Sequence, residues 1–102
     1  MLLAEFSISP LDKGASVSPW VARSLDLIDR SGLPYRLGPM GTTVEGEWDE
    51  VMAVVKACFD AMAEDCERIT VTLKGDWRRG RSGRLTAKVE KVEATLGRKL
   101  KT

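Results

Sequence analysis

The side chains able to do chemistry in this chain are hydroxyls, carboxylates, two thiols and a run of guanidinium groups. The 102 residues include no histidine, which removes the usual general base near neutral pH and the usual ligand of catalytic zinc. The same absence rules out Ser-His-Asp and Cys-His catalysis. Two cysteines are too few for a four-thiolate metal site. These absences leave carboxylates, lysines and hydroxyls for chemistry, most of which we expect to lie at the surface, and we expect no metal and no cofactor.

A basic segment is the densest charge cluster in the chain. Its four arginines stand beside a tryptophan and among glycines: Trp77, Arg78, Arg79, Arg81 and Arg84. Such a segment is able to hold phosphate or single-stranded nucleic acid, so an RNA- or phosphate-binding module using residues 78–84 is one candidate function. The competing interpretation is a solvated loop whose charges offset the acidic start of the second helix. The net charge of +1 argues against a chain that binds nucleic acid mainly by counterion release.

The remaining composition is that of one ordinary globular domain spanning residues 1–102, with 43% hydrophobic and 30% charged residues. No apolar run approaches the length that crosses a bilayer, and the first ten residues lack the pattern of a secretory signal. Cys58 falls within an apolar helical stripe and is expected to be buried. Cys66 lies between Asp65 and Glu67, whose charges raise the pKa of its thiol. A cytoplasmic protein with reduced thiols is the expectation.

Hydrophobic periodicity predicts seven elements in the order β-α-β-β-α-β-α. Residues 2–9 alternate with period two and place Leu2, Ala4, Phe6 and Ile8 on one face. Ser18 directly precedes Pro19 and is predicted to cap the first helix, which runs to about Arg30. Further strands are predicted at 34–37, 42–45 and 68–74, further helices from about 47 and from about 85, and a loop at 76–84. In the last strand, the residues predicted to face inward are Ile69, Val71 and Leu73.

This order predicts an α+β fold, the ferredoxin-like βαββαβ sandwich with an extra C-terminal helix. Two helices then cover one face of a four-stranded antiparallel sheet and leave the other face open. The side chains predicted on the open face are Leu3, Ser7, Ser9, Thr43, Thr70 and Thr72. Such a face of small hydroxyls suggests contact with a second subunit or a ligand. The alternative is a solvated face, which antiparallel sheets commonly have.

Three stretches go beyond periodicity: SVSPWVA at 16–22, SGLPYRLGPMGTTVEGEWDEVM at 31–52 and ERITVTLK at 67–74. They resemble the MTH1187/YkoF-type thiamine-binding family of small ferredoxin-like proteins, the middle stretch almost residue by residue. The resemblance implies a cytoplasmic, non-catalytic homo-oligomer, a dimer or tetramer assembled through its sheets, that binds thiamine (vitamin B1) or its hydroxymethylpyrimidine part. The sequence departs from the family pattern at 75–78, where Asp76 and Arg78 are kept but Gly75 and Trp77 are atypical.

A thiamine site needs hydroxyl or carboxylate partners for the aminopyrimidine, an apolar wall, and no positive group beside the thiazolium. The residues that we predict to bind the ligand are Ser16, Ser18, Tyr35, Leu37, Met40, Thr43 and Glu45. Glu45 or a nearby hydroxyl would accept a hydrogen bond from the pyrimidine amine.

Six of the seven predicted site residues also have a purely structural interpretation. Ser18 is a helix cap, Ser16 satisfies loop backbone, and Thr43 is a β-branched strand residue. Glu45 pairs with Arg36 or Lys74 across the sheet, while Tyr35 and Met40 pack in a core or an interface. If all of these hold, the chain is an assembly subunit whose sheet face serves only to pair with another copy.

Overall fold

The computed structural model describes residues 1–102 and has the predicted order of elements. The strands are β1 (Leu2–Pro10), β2 (Tyr35–Leu37), β3 (Thr42–Gly46) and β4 (Ile69–Trp77). The helices are α1 (Ser18–Arg30), α2 (Trp48–Ala63) and α3 (Arg84–Leu96). The strands form one sheet in the order β2-β3-β1-β4 with every neighbouring pair antiparallel. This confirms the predicted α+β arrangement. None of the three helices is both long and apolar enough to span a membrane.

The core lies between the sheet and the two helices α1 and α2. The alternation predicted for β1 is confirmed, since its even-numbered residues are all buried. The apolar stripe of α2 meets them, with Val51, Val54, Cys58 and Met62 buried. The complete cluster comprises Leu2, Ala4, Phe6, Ile8, Ile28, Val44, Val51, Val54, Cys58, Met62 and Cys66. No residue of α3 belongs to it.

The edge strand β4 differs from the prediction in length and in burial. It continues to Trp77, because it pairs with β1 over the whole length from Leu2 to Pro10. The predicted loop at 76–84 therefore begins two residues later. Val71 and Leu73 do share a face with Ile8 and Phe6, but they are 46% and 38% exposed. Helices α1 and α2 cover the middle of the sheet and do not reach this edge, so the predicted inward side of β4 is largely uncovered.

The start of α1 corrects another prediction. Val17 is the N-cap residue, and its C=O accepts hydrogen bonds from the N–H groups of Trp20 and Val21. Ser18 is already the first helical residue and makes no cap hydrogen bond. The prediction that Ser18 caps this helix is therefore wrong. Proline in the first turn lacks an N–H that would need a partner there, which allows the helix to begin without a side-chain cap.

The C-terminal helix α3 lies apart from the other two helices. It contacts chiefly β3 and contains no buried residue. The molecule measures 46 × 29 × 21 Å with a radius of gyration of 15.0 Å, against about 13 Å for a compact chain of this length. Two apolar residues in its C-terminal half, Val92 and Leu96, are exposed.

Candidate functional site

A pocket of about 320 Å³ opens between the end of β1, the first turns of α1 and the β2–β3 hairpin. It forms because β3 begins at Thr42, opposite Phe6, and leaves the last third of β1 without a neighbour on that side. The chain turns away through residues 38–41 and forms the rim. The lining residues are Phe6, Ser7, Ile8, Ser9, Val17, Val21, Ser24, Leu25, Ile28, Leu37, Gly38, Pro39, Met40, Gly41 and Thr42. None of them is charged.

Two hydroxyls give this pocket specific polar groups. Ser24 and Thr42 are buried residues, and both line the pocket. Neither hydroxyl takes part in any of the side-chain hydrogen bonds of the chain, and neither oxygen is fully enclosed. The pocket therefore offers neutral hydrogen-bonding groups within an apolar wall, which is the usual composition of a small-molecule site.

Ser24 and Thr42 were not among the residues predicted from the sequence to bind the ligand, although the hydrophobic periodicity places both on a buried face. Ser24 lies three residues after Val21 and four before Ile28, on the face of α1 that the periodicity turns inward. Thr42 lies two residues before Val44 and so shares its buried face. A polar residue on a buried face of an element marks either an internal hydrogen bond or a binding site.

Four of the predicted site residues lie at or beside this pocket. Leu37 and Met40 line it, and both are exposed at its rim. Ser16 and Ser18 flank the lining residue Val17 without lining the pocket themselves. The predicted proximity of the hairpin to the start of α1 is thus present in the fold, and ligand contact by these four residues stays a prediction.

The other predicted residues lie elsewhere. The Tyr35 hydroxyl donates to Asp29 Oδ1 at 2.9 Å, a bond that raises the pKa of the tyrosine. Thr43 faces the open side of the sheet, where it lines a second depression of about 230 Å³ with Leu3, Glu5, Lys74, Gly75 and Asp76. The seven residues therefore do not converge on one site.

Glu45 is 4% exposed and has a defined structural partner. Its two carboxylate oxygens accept hydrogen bonds from the N–H groups of Gly83 and Arg84, each at 2.9 Å. These are free donors at the first turn of α3, where the helix dipole also favours a negative charge. The partner is thus neither Arg36 nor Lys74, as the across-sheet alternative supposed. Glu45 anchors α3 to the open face of the sheet.

The arginines of the basic segment differ in their surroundings, because Arg84 is fixed at the start of α3. The Arg84 side chain is 8% exposed and forms an ion pair with Asp76. It also donates to the C=O of Asp76 at 3.0 Å. Arg79 lies over the ring of Trp77 with its guanidinium carbon 5.2 Å from the ring centroid. One of the four arginines is consequently unavailable to a phosphate, which weakens the alternative of an RNA- or phosphate-binding loop.

The two thiols are buried and free. Burial raises the pKa of both, and the Cys58 thiol donates to the Ser24 C=O at 3.6 Å. The predicted burial of Cys58 is confirmed. For Cys66 the direction of the predicted shift is confirmed, but burial contributes more to it than the neighbouring charges do.

Comparison with known proteins gives one consistent family. The family model described as "Thiamine-binding protein" matches residues 4–93. UPF0045 protein Mb1933 of Mycobacterium bovis is 39% identical over 96 residues, covering 93% of this chain and 94% of its own. The crystal structure of MJ1052 from Methanocaldococcus jannaschii superposes with a TM-score of 0.82 at 32% identity, covering 89% of this chain and 94% of the other. A Thermotoga maritima structure named for thiamine biosynthesis or salvage superposes with a TM-score of 0.78 at 26% identity, covering 89% and 97% of the two chains.

Proposed function

Because the chain belongs to the thiamine-binding protein family, we propose that it binds thiamine or its hydroxymethylpyrimidine part in the pocket between β1, α1 and the β2–β3 hairpin. The observation that carries this proposal is an uncharged pocket that contains two hydroxyls without partners in the chain. An aminopyrimidine is a flat heterocycle with donor and acceptor groups on its edge. Apolar walls match its faces, and neutral hydroxyls match its edge.

The pocket is also large enough for a ligand of this kind. Its volume of about 320 Å³ lies at the lower end of the range of ligand pockets, roughly 300–1,000 Å³. No lysine or arginine lines it, so a permanently cationic thiazolium meets no repulsion at the rim. The two rim residues Leu37 and Met40 are exposed apolar side chains placed to cover the ring.

We propose binding without turnover. None of the lining residues carries a side chain that titrates near neutral pH, so the pocket supplies no general acid or base. Storage, sensing or delivery of the vitamin in the cytoplasm is the role we assign. The measurement that tests this part is recovery of the ligand unchanged, by mass spectrometry, after prolonged incubation with the protein.

Calorimetric titration with thiamine and with hydroxymethylpyrimidine tests the proposal. We expect a saturable binding heat for at least one of them, and no heat at near-millimolar ligand would refute the function. Thr42→Val keeps the side-chain shape and removes the hydroxyl. Because a net hydrogen bond contributes about 0.5–1.5 kcal/mol, we expect affinity to fall roughly two- to tenfold.

A matched pair of variants locates the site. Leu37→Arg places a bulky positive charge on the rim of the pocket, whereas Leu11→Arg places one on a residue of similar exposure outside it. We expect the first variant to lose binding and the second to keep it. Equal affinities for the two variants would place the ligand elsewhere.

We further propose that the protein is a homo-oligomer that associates through its sheet. The outer edge of β4 has no neighbouring strand, and unpaired edges readily pair with another chain. The apolar Val71, Leu73 and Trp77 beside this edge are exposed. A second copy that continues the sheet would cover them, and contact between open faces would join two such dimers.

Light scattering tests the assembly through the mass in solution. The expected mass is two or four times 11.2 kDa. Thr72→Arg adds a charge at the open face of β4 and should reduce the mass of a tetramer to that of a dimer, whereas Ala53→Arg on the exposed side of α2 should not change the mass. A wild-type mass of one chain would refute the oligomer, and it would leave the ligand proposal standing.

A further inference from the structure

The peptide groups of β1 alternate between its two neighbouring strands. In an antiparallel ladder the N–H and C=O of one residue point to the same side, and the next residue points to the other. At both ends of β1 the odd-numbered residues bond toward β4: Arg78 N–H donates to Met1 O at 3.1 Å, and Leu11 N–H donates to Arg68 O at 2.7 Å. The even-numbered residues therefore point toward β3.

This alternation leaves one residue without a partner. Leu2, Ala4 and Phe6 lie opposite Gly46, Val44 and Thr42, where β3 begins. Ile8 is the next residue on that side, and no residue lies opposite it. None of the backbone bonds outside the helices and strands involves Ile8. Its N–H and C=O are directed to the gap in which the pocket lies, although the residue is buried.

A buried backbone donor and acceptor without partners are uncommon in folded proteins. The arrangement is limited to one residue, because Pro10 is the next residue on that side and has no N–H. A proline at this position also disfavours the addition of a whole strand along the gap. What fits is a small group that presents one acceptor and one donor side by side.

We infer that the Ile8 peptide group recognises the aminopyrimidine ring, its N–H donating to a ring nitrogen and its C=O accepting from the neighbouring exocyclic amine. The inference rests on the proposed function and assigns the deep part of the pocket to the pyrimidine. Phe6, Ile28 and Leu37 supply apolar walls around this edge. The thiazolium of thiamine then lies toward the exposed rim, because the pocket holds no carboxylate to pair with it.

The same geometry makes the amine the group by which the pocket selects its ligand. An analogue without the amine leaves the Ile8 C=O unpaired in a buried site, which is a costlier loss than that of a solvated bond. We expect 5-hydroxymethyl-2-methylpyrimidine to bind about tenfold more weakly than its 4-amino counterpart. Ser24 and Thr42, which contact the ligand elsewhere, do not compensate for this loss.

Nuclear magnetic resonance of ¹⁵N-labelled protein tests the inference without altering the chain. In the free protein the Ile8 amide should exchange with solvent faster than the amides of Phe6 and Ser7, whose N–H groups lie within the ladder. On titration with 4-amino-5-hydroxymethyl-2-methylpyrimidine, the Ile8 amide resonance should move downfield and its exchange should slow. The Leu37→Arg variant should show neither change.

The outcomes separate this inference from the proposed function. If the pyrimidine binds while the Ile8 amide is unaffected, or if the analogue lacking the amine binds equally well, the role of Ile8 is refuted and thiamine binding stands. If neither thiamine nor the pyrimidine binds at all, the proposed function fails, and the role of Ile8 fails with it.

Discussion

Removal of the Glu45 carboxylate should weaken the attachment of α3 to the sheet while the rest of the fold persists. The carboxylate is one of two polar attachments of this helix: it accepts hydrogen bonds from the N–H groups of Gly83 and Arg84 at 2.9 Å each, and the Arg84 side chain separately binds Asp76. No residue of α3 belongs to the hydrophobic core. The substitutions Glu45→Ala and Glu45→Gln therefore probe a local equilibrium, in which α3 opens and closes on a folded sheet.

The free energy by which the substitution weakens the attachment of α3 follows from the two hydrogen bonds that Glu45 accepts. Hydrogen bonds to a charged group contribute about 1.5 kcal/mol each at the lower end of their range, so Glu45→Ala should weaken the attachment by about 3 kcal/mol. That corresponds to roughly a 100-fold larger open fraction. Glu45→Gln keeps one acceptor oxygen and the side-chain shape but loses the charge at the helix terminus. For this variant we expect about 1 kcal/mol, or roughly a fivefold change.

Amide hydrogen exchange across residues 83–96 is the assay. Protection should fall by the two factors above, while the amides of β1 and α2 stay protected. Glu5 is the matched control, because it is an exposed glutamate of the same sheet face that forms no hydrogen bond. If α3 exchanges equally in Glu45→Ala and Glu5→Ala, the anchoring role of Glu45 is refuted.

Three further predictions concern the rest of the fold. The Asp12 carboxylate accepts a hydrogen bond from the Glu67 N–H at 2.8 Å, and this bond lowers the pKa of the aspartate. The bond therefore stabilises the fold above the unfolded-state pKa of about 3.9. This stabilisation is lost as the pH falls through the lower pKa that Asp12 has in the folded protein. Urea unfolding should therefore find Asp12→Asn less stable than wild type at neutral pH, with the difference shrinking in acid, and a constant difference would contradict this. Because burial raises the pKa of the Cys58 and Cys66 thiols, a thiol reagent at neutral pH should modify them slowly in the folded protein and rapidly in urea; equal rates would show that the thiols are accessible. Ile28→Ala should destabilise the core by about 2–5 kcal/mol in the same urea assay, since Ile28 is almost fully buried, and a change below about 1 kcal/mol would contradict the packing of α1 on the sheet.

The order of the elements, and the direction in which most of them face, follow from the amino-acid sequence alone. The alternation in β1 and the stripe in α2 are periodic patterns, and a period identifies both the type of element and its buried side. The absence of histidine limits the available chemistry through composition, whatever the fold. The stretches at 16–22, 31–52 and 67–74 carry the family resemblance, the middle one almost residue by residue.

Which polar side chains meet depends on the tertiary structure. Glu45 and Arg84 are 39 residues apart, and no local pattern indicates that one anchors the backbone of the other. The Ser18 prediction is wrong because capping depends on the hydroxyl reaching an N–H, a matter of backbone angles that a residue type does not fix. The pocket arises from a difference in length between β1 and β3, and such a difference appears only when the strands are placed side by side. Periodicity is a property of one segment, whereas a pocket is formed by several, and this is why the order of elements was predictable from the sequence and the pocket was not.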